Sequence, residues 1–337
     1  MKHLVLLALI LITFTSTYCE DIRIGITTKR ITSLLSSRCE LVAVHEDSQI
    51  ATKAIDKCVE EILRIENIIS EWKPDSEISK INKMAGKEPV TVGKELFYLI
   101  KRSKKISELT DGAFDISFLS AGKLWVFNPP MKELPKEELI QAALKKVNYK
   151  NIIIDEGNMT VFLKEEGMKI GTGGIGQGFI ANKAKAIMVS MGIKSGIINM
   201  SGDVTAWGTQ ENGKPWKIQI GDPLEKGKAL AWLEINNMSV VTSGDYEKFT
   251  VINGKKYCHI FDPRTGYPIT TGIKSATVIC ADVEIADALA TSLCILGEKK
   301  ALELISQLKD TECIIINEEN KIITSPQLKQ KYWKENE

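Results

Sequence analysis

The chain has 337 residues, of which 26% are charged and 44% hydrophobic, and its 44 Lys plus Arg against 43 Asp plus Glu give a formal charge of +1. That apolar fraction excludes a disordered chain, and the charge balance argues against a nucleic-acid binder that works through bulk basicity. The length accommodates one large domain or two intimate lobes, and 10 Pro with 24 Gly exclude collagen-like and linker-dominated classes.

The first residues read MKHLVLLALILITFTSTYCE. Lys2 and His3 precede an apolar run from Leu4 to Ile12 and then a polar stretch. This is the pattern of a signal peptide, too short for a membrane span. It predicts an exported protein, periplasmic or on the outer side of the cytoplasmic membrane, with residues 1–19 as leader and 20–337 as a single domain of two intimate lobes. Cleavage after Cys19 is one reading. Retention of Cys19 as a lipid-bearing first residue is the other, although Tyr18 is bulky where a lipoprotein signal usually has a small residue. The seven cysteines form no CxxC pair, so zinc-knuckle and thioredoxin-like sites lack support, and no disulfide connectivity follows. No further stretch is long and apolar enough to span a bilayer.

Helical periodicity runs from Gln49 to Ile69, where Ala54, Cys58, Ile62, Ile65 and Ile69 share a face. Glu95 to Leu109 predicts a second helix, and Pro135 introduces a third from Lys136 to Val147. Asn151–Asp155 and Met159–Leu163 read as a hairpin around Glu156-Gly157-Asn158. A glycine-rich run, GTGGIGQGF from Gly171 to Phe179, precedes a predicted helix to Met191. Strands follow at Gly196–Met200, Trp216–Ile220, Ala229–Ile235 and Ser275–Cys280. Helices are expected at Val283–Leu296 and Lys299–Leu308, and a last strand at Thr311–Asn317. This mixture predicts an α+β or mixed α/β domain, without the regular alternation of a barrel.

The glycine-rich run lets a backbone approach an anion at a helix start, but it lacks the lysine of a nucleotide-triphosphate loop. YCHIFDPRTGYP, Tyr257 to Pro268, gathers His259, Asp262, Arg264 and Thr265 in a Pro- and Gly-punctuated turn. His and Arg are scarce in this chain, with 3 His in all, so the turn reads as a phosphate clamp with a candidate proton acceptor. A solvated β-turn would carry Asp and Arg as well. In ADALAT, Asp287 and Thr291 stand at i and i+4 and can face one point. A carboxylate and a hydroxyl suit a hard cation such as Mg²⁺, while a helix–helix hydrogen bond is the plainer reading. Asp282 is a second acidic candidate, equally explained as an N-cap. The polar turns SGD (Ser201 to Asp203) and TSGDYE (Thr242 to Glu247) could hold a sugar, base or phosphate. Trp72 could stack on a flat ring or pack in the core.

Together SEWKPDSEISKIN, GAFDIS, the LW-F pattern near Trp125, GGIGQG, INMSGD-TAWG, TSGDYE, HIFDPRTGYP and ADALAT resemble the flavin transferase family, FAD:protein FMN transferase, also called the thiamine-biosynthesis lipoprotein family. The resemblance spans almost the whole chain after the leader. It implies a two-lobed, mixed-sheet α+β fold with an FAD cleft between the lobes. It also implies Mg²⁺-dependent transfer of the FMN half of FAD to a threonine hydroxyl of an acceptor flavoprotein, such as a redox-pump subunit, with release of AMP. The family's metal pattern falls on Gly174, Asp287 and Thr291. Its flavin pattern falls on Leu35, Trp72, Ala113, Phe114, Asp115, Gly171, Gln177 and Phe261. Ser201, Asp203, Ser243 and Thr265 are further candidates for holding FAD. His259 is the first catalytic candidate, Asp262 the rival for orienting the nucleophile or His259, and Arg264 either stabilises charge or locks the turn.

The chain departs from the family pattern at several points. DLGGIAKG becomes GTGGIGQG, so Gly171 replaces an aspartate and Gln177 a lysine. Leu35-Ser36-Ser37 stands for Met-Gly-Thr, and Ser201-Gly202 for a double glycine. Hydrolysis of FAD to FMN and AMP, or FAD binding without turnover, are the competing functions. Without residues 1–19 the basic and acidic side chains are equal in number. An anion site must then be local, built from backbone amides, a cation and Arg264.

Overall fold

The computed structural model describes residues 25–334 except 36, 224 and 226, so the predicted leader and Cys19 lie outside the described residues. The scaffold is an eight-stranded sheet. Its strands are β1 (Ile26–Leu34), β2 (Ser37–His45), β3 (Ser195–Met200), β4 (Asp203–Trp207), β5 (Met238–Gly244), β6 (Ile273–Cys280), β7 (Glu312–Asn317) and β8 (Ile322–Thr324). Each strand pairs antiparallel with the next in chain order. The expected α+β class is borne out, and strand pairing among the described residues is antiparallel rather than mixed.

Both faces of the central strands are covered, which explains why they alternate between two apolar sets rather than between apolar and polar, while the edge strands β1 and β8 stay partly exposed. On β2, Cys39, Leu41 and Ala43 join the larger core, whereas Val42 and Val44 join a second one. The larger core lies under the helices α1 (Ser48–Ile69), α2 (Lys94–Leu109), α3 (Gly176–Ser190), α4 (Val283–Leu296) and α5 (Glu298–Ser306). The second is closed by a small sheet of Trp216–Gly221, Ala229–Ile235 and Trp333–Lys334. There Trp216, Ile218, Leu233 and Ile235 pack on Val204, Val240, Ile279 and Ile314.

The predicted helix face on α1 is buried as expected: Ala54, Cys58, Ile62, Ile65 and Ile69 all lie in the core. Asp47 caps the helix, its Oδ1 accepting the amide of Gln49 at 2.7 Å. The helix expected at Lys136–Val147 is shorter, Glu137–Leu144. The six described cysteines are free and buried, so no disulfide forms among them. No helix of the described residues is long and apolar enough to cross a membrane.

A meander of this kind puts alternate connections at one end. The β1–β2 turn with Leu35, the β3–β4 turn with Ser201-Gly202, and the long β5–β6 excursion from Asp245 to Gly272 all leave the sheet there. Register fixes the neighbours: Cys39 faces Met200, Met200 faces Asp203, and Gly244 faces Ser275. Topology thus gathers Leu35, Ser201 and the segment that carries His259, Asp262 and Arg264 at one end of the sheet.

Candidate functional site

The glycine-rich run closes a tight turn into α3, in which the Thr172 carbonyl accepts the amides of Ile175 at 3.0 Å and Gly176 at 2.7 Å. One glycine there has a clear steric reason. A Cβ on Gly178 would lie 2.6 Å from Glu284 Cα and from the Val283 carbonyl, so only glycine lets α3 pass this close to the start of α4. The close approach delivers the Gly178 amide to Asp287 Oδ2 at 3.0 Å. Asp282 is the N-cap of α4, accepting the amides of Glu284 and Ile285, and Arg102 from α2 also bonds to it. One helical turn beyond Asp287, Thr291 Oγ1 lies 3.1 Å from Ser243 Oγ at the end of β5. The Cβ direction of Gly174 ends 3.9 Å from the same Thr291 oxygen. The structure therefore brings Gly174, Asp287, Thr291 and Ser243 to one place.

Asp287 is 6% exposed and Asp203 8%. Burial pushes both carboxyls above the usual range, and the nearby Asp287 and Glu247 push Asp203 further. Burial likewise raises Glu247. With its amide nitrogen facing the two acceptors, Gln177 donates to Asp203 Oδ2 at 2.9 Å and to the Met200 carbonyl at 3.1 Å. Gln177 thus meets a buried acid as a neutral donor. Ser201 sits in the left-handed region with φ 56°, held by its amide on the Arg38 carbonyl at 2.9 Å. Leu35 takes φ 56° at the tip of the β1–β2 turn.

Among the described residues, no group of three or more His, Cys, Asp or Glu could hold a metal ion. A cation at Asp287 would rely on one carboxylate, the Thr291 hydroxyl, the Gly174 carbonyl and oxygens of a phosphate ligand. That all-oxygen donor set fits Mg²⁺, which keeps few protein ligands and shares its shell with substrate phosphates. The buried Asp287 carboxylate has an amide partner and no ion-pair partner among the described residues, as a cation site requires.

The turn after the hairpin Phe249–Ile252/Lys255–Cys258 is pinned by its own bonds. Arg264 Nε donates to Asp262 Oδ1 at 2.7 Å and a terminal nitrogen to Oδ2 at 2.7 Å. The Asp262 carbonyl accepts the amides of Thr265 at 3.1 Å and Gly266 at 2.9 Å. Gly266 takes φ 78°. Arg264 locks the turn, and Asp262 is spent on Arg264 rather than on orienting His259. The histidine is oriented by the backbone instead: its Nδ1 lies 3.2 Å from the Lys248 carbonyl. A carbonyl only accepts, so Nδ1 carries the hydrogen and Nε2 keeps its lone pair. Burial lowers the His259 pKa, the Lys248 carbonyl opposing in part. The segment 243–248 thus links the two halves of the site: Ser243 meets Thr291, and Lys248 holds His259.

The flavin candidates divide. Trp72 is 78% exposed, with Lys123 Nζ 5.7 Å from its ring centroid, so it is not a core residue. Phe261 stacks on Phe118 at 5.0 Å and leans on Trp125 at 5.5 Å. Ala113 and Phe114 are buried. Asp115 caps the short helix Ile116–Phe118: its Oδ1 accepts Ser117 and its Oδ2 the Tyr149 amide, so its carboxylate is already engaged. Gly171 bonds through its amide to the Ile116 carbonyl at 2.9 Å. Sequence reasoning missed Glu71, whose carboxylate lies against Gly171. Its signal was an acid directly before Trp72 in SEWKPDSEISKIN.

A family model described as the ApbE family matches residues 35–315. A relative from Klebsiella pneumoniae (strain 342), named FAD:protein FMN transferase, is 32% identical over 296 residues, covering 87% of this chain and 90% of its own. A relative of the same name from Treponema pallidum (strain Nichols) is 28% identical, covering 86% of each chain. The crystal structure of the ApbE protein from Thermotoga maritima superposes with a TM-score of 0.82 at 31% identity, covering 90% of this chain and 99% of its own. A solved flavin transferase from Vibrio cholerae, 23% identical with a TM-score of 0.80 over 91% of this chain and 99% of its own, shares the fold. The chain belongs to the ApbE family.

Proposed function

We propose that this protein transfers the FMN half of FAD to a threonine hydroxyl of an acceptor flavoprotein, forming a phosphoester and releasing AMP. The observation that carries the reading is the convergence of Asp287, Thr291 and Gly174 beside a segment that also holds His259. The names of the relatives supply the substrate class.

In this reading the flavin lies against Trp72 and Phe261, and the pyrophosphate lies between the start of α3 and the His259 turn. Mg²⁺ held by Asp287, Thr291 and the Gly174 carbonyl would neutralise charge on the phosphate oxygens. The threonine hydroxyl attacks the phosphorus on the flavin side. His259 Nε2 takes the hydroxyl proton, and its Nδ1–H to Lys248 steadies the imidazolium that forms. The bond from that phosphorus to the bridging oxygen breaks, and AMP leaves with the oxygen. Arg264, paired with Asp262, holds the shape of the turn. Export, with action in the periplasm or on the outer face of the cytoplasmic membrane, belongs to the same reading and is supported by the pattern from Lys2 to Ile12. Attachment through Cys19 and a redox-pump subunit as acceptor complete it.

The test follows AMP from FAD and Mg²⁺ with and without an acceptor domain carrying a target threonine. AMP release that requires the acceptor is expected. Release indifferent to the acceptor would mean hydrolysis to FMN and AMP, and no release would contradict turnover altogether.

A further inference from the structure

At position 171 the resemblance implies an aspartate where this chain has glycine, yet the space is not empty of carboxylate. A Cβ built on Gly171 would end 2.9 Å from Glu71 Oε1, 3.2 Å from its carboxyl carbon and 3.1 Å from Leu119 Cδ2. A side chain at 171 would project straight into the carboxylate that Glu71 brings from the far side. Glu71 precedes the exposed ring of Trp72, and Lys123, which lies over that ring, also acts on the Glu71 carboxyl through its charge. No ion pair within 4.0 Å engages Glu71 among the described residues, so the carboxylate keeps acceptor capacity. Burial raises its pKa, partly offset by the amides of Glu71 and Thr172 and by Lys123.

We infer that Glu71, whose carboxylate fills the space a side chain at 171 would take, binds an N–H or hydroxyl donor on the flavin half of FAD, the acceptor role that the resemblance gives to an aspartate at position 171. The carboxylate is kept in space and moved in sequence, and Gly171 is the residue that makes room for it. The inference rests on the proposed FAD substrate and deepens it by naming a specificity residue. Glu71 acts on the flavin and not on the reacting phosphorus, so it governs KM for FAD more than kcat.

The experiment measures riboflavin and FAD binding by flavin fluorescence, with AMP as control, in the wild type, Glu71→Thr, Gly171→Asp and the double variant. Thermal melts confirm that each variant is folded. Losing a hydrogen bond to a charged group predicts about 10- to 100-fold weaker riboflavin and FAD binding in Glu71→Thr, with AMP binding unchanged. Gly171→Asp alone is also weakened, because its new carboxylate meets that of Glu71. The double variant recovers binding, an interaction of opposite sign to the two single losses. Glu71→Gln, close in volume, separates lost charge from lost packing and is expected to raise KM for FAD with kcat nearly kept. Unchanged riboflavin binding in Glu71→Thr, or a double variant no better than the singles, would overturn the inference while leaving the transferase reading intact. A folded wild type that binds neither riboflavin nor FAD would overturn the transferase reading, and the inference with it.

Discussion

Two aspartates at the site are held in opposite ways. Asp262 lies on a turn, and both its oxygens are taken by the Arg264 guanidinium two residues on. Asp287 lies inside the α3–α4 contact, with the Gly178 amide on one oxygen and burial raising its pKa. The first is a finished, charge-neutral brace. The second is a carboxylate taken out of water without a cation among the described side chains, a state that favours proton or metal binding. The comparison teaches that proximity to a motif does not assign a role, whereas the partner each carboxylate already has does.

The largest effect expected from breaking this contrast is at Asp287. Asp287→Asn keeps the shape but removes the charge, and AMP release from FAD with Mg²⁺ should fall on the order of 10³-fold. Stabilisation of the protein by Mg²⁺, read as a rise in melting temperature, should vanish in the same variant. Unchanged turnover would mean that the buried carboxylate is not the cation ligand.

His259→Gln comes next, with kcat reduced on the order of 10²-fold. The sign of the pH dependence follows from burial. The lowered pKa keeps His259 neutral, and able to accept a proton, to below pH 6.5. The acid limb of the wild-type rate profile should therefore lie below that value, with rate falling as pH drops through it. The limb should disappear in His259→Gln; if it persists, another group is titrating.

Gly178→Ala tests the contact that presents Asp287. Its Cβ would fall 2.6 Å from backbone atoms of α4, so the helices must separate. Chemical denaturation should show a loss of about 1–3 kcal/mol, typical of overpacking. An unaltered midpoint would show that the α3–α4 contact is looser than described. The smallest effect is expected on the other side of the comparison. Arg264→Ala removes a pair that is partly exposed, 35% for Arg264 and 19% for Asp262. It should cost about 1 kcal/mol or less of stability, with kcat lowered less than in either substitution above. A kcat loss as large as that of His259→Gln would move Arg264 from brace to charge stabiliser.

Much of this was legible in the sequence where one element carries the signal. The α1 face from Ala54 to Ile69 follows from the helical repeat alone, and the four-residue spacing of Asp287 and Thr291 puts both on one side of α4. The self-pairing of Asp262 with Arg264 is equally local. What stayed hidden depends on long-range pairing. β1 and β2 gave no clear alternation, because β1 is an edge strand with exposed Ile26 and Ile31, and β2 is buried on both faces. The meeting of Gln177 with Asp203, the grip of Lys248 on His259 and the approach of Glu71 to Gly171 join segments that no motif spans.

The most direct test is the intact mass of an acceptor domain after incubation with this protein, FAD and Mg²⁺. An acceptor heavier by one FMN unit is expected, with one AMP released per acceptor modified and no adduct when the target threonine is replaced by valine. An acceptor of unchanged mass, with FAD either intact or split into free FMN and AMP, would contradict FMN transfer to the acceptor.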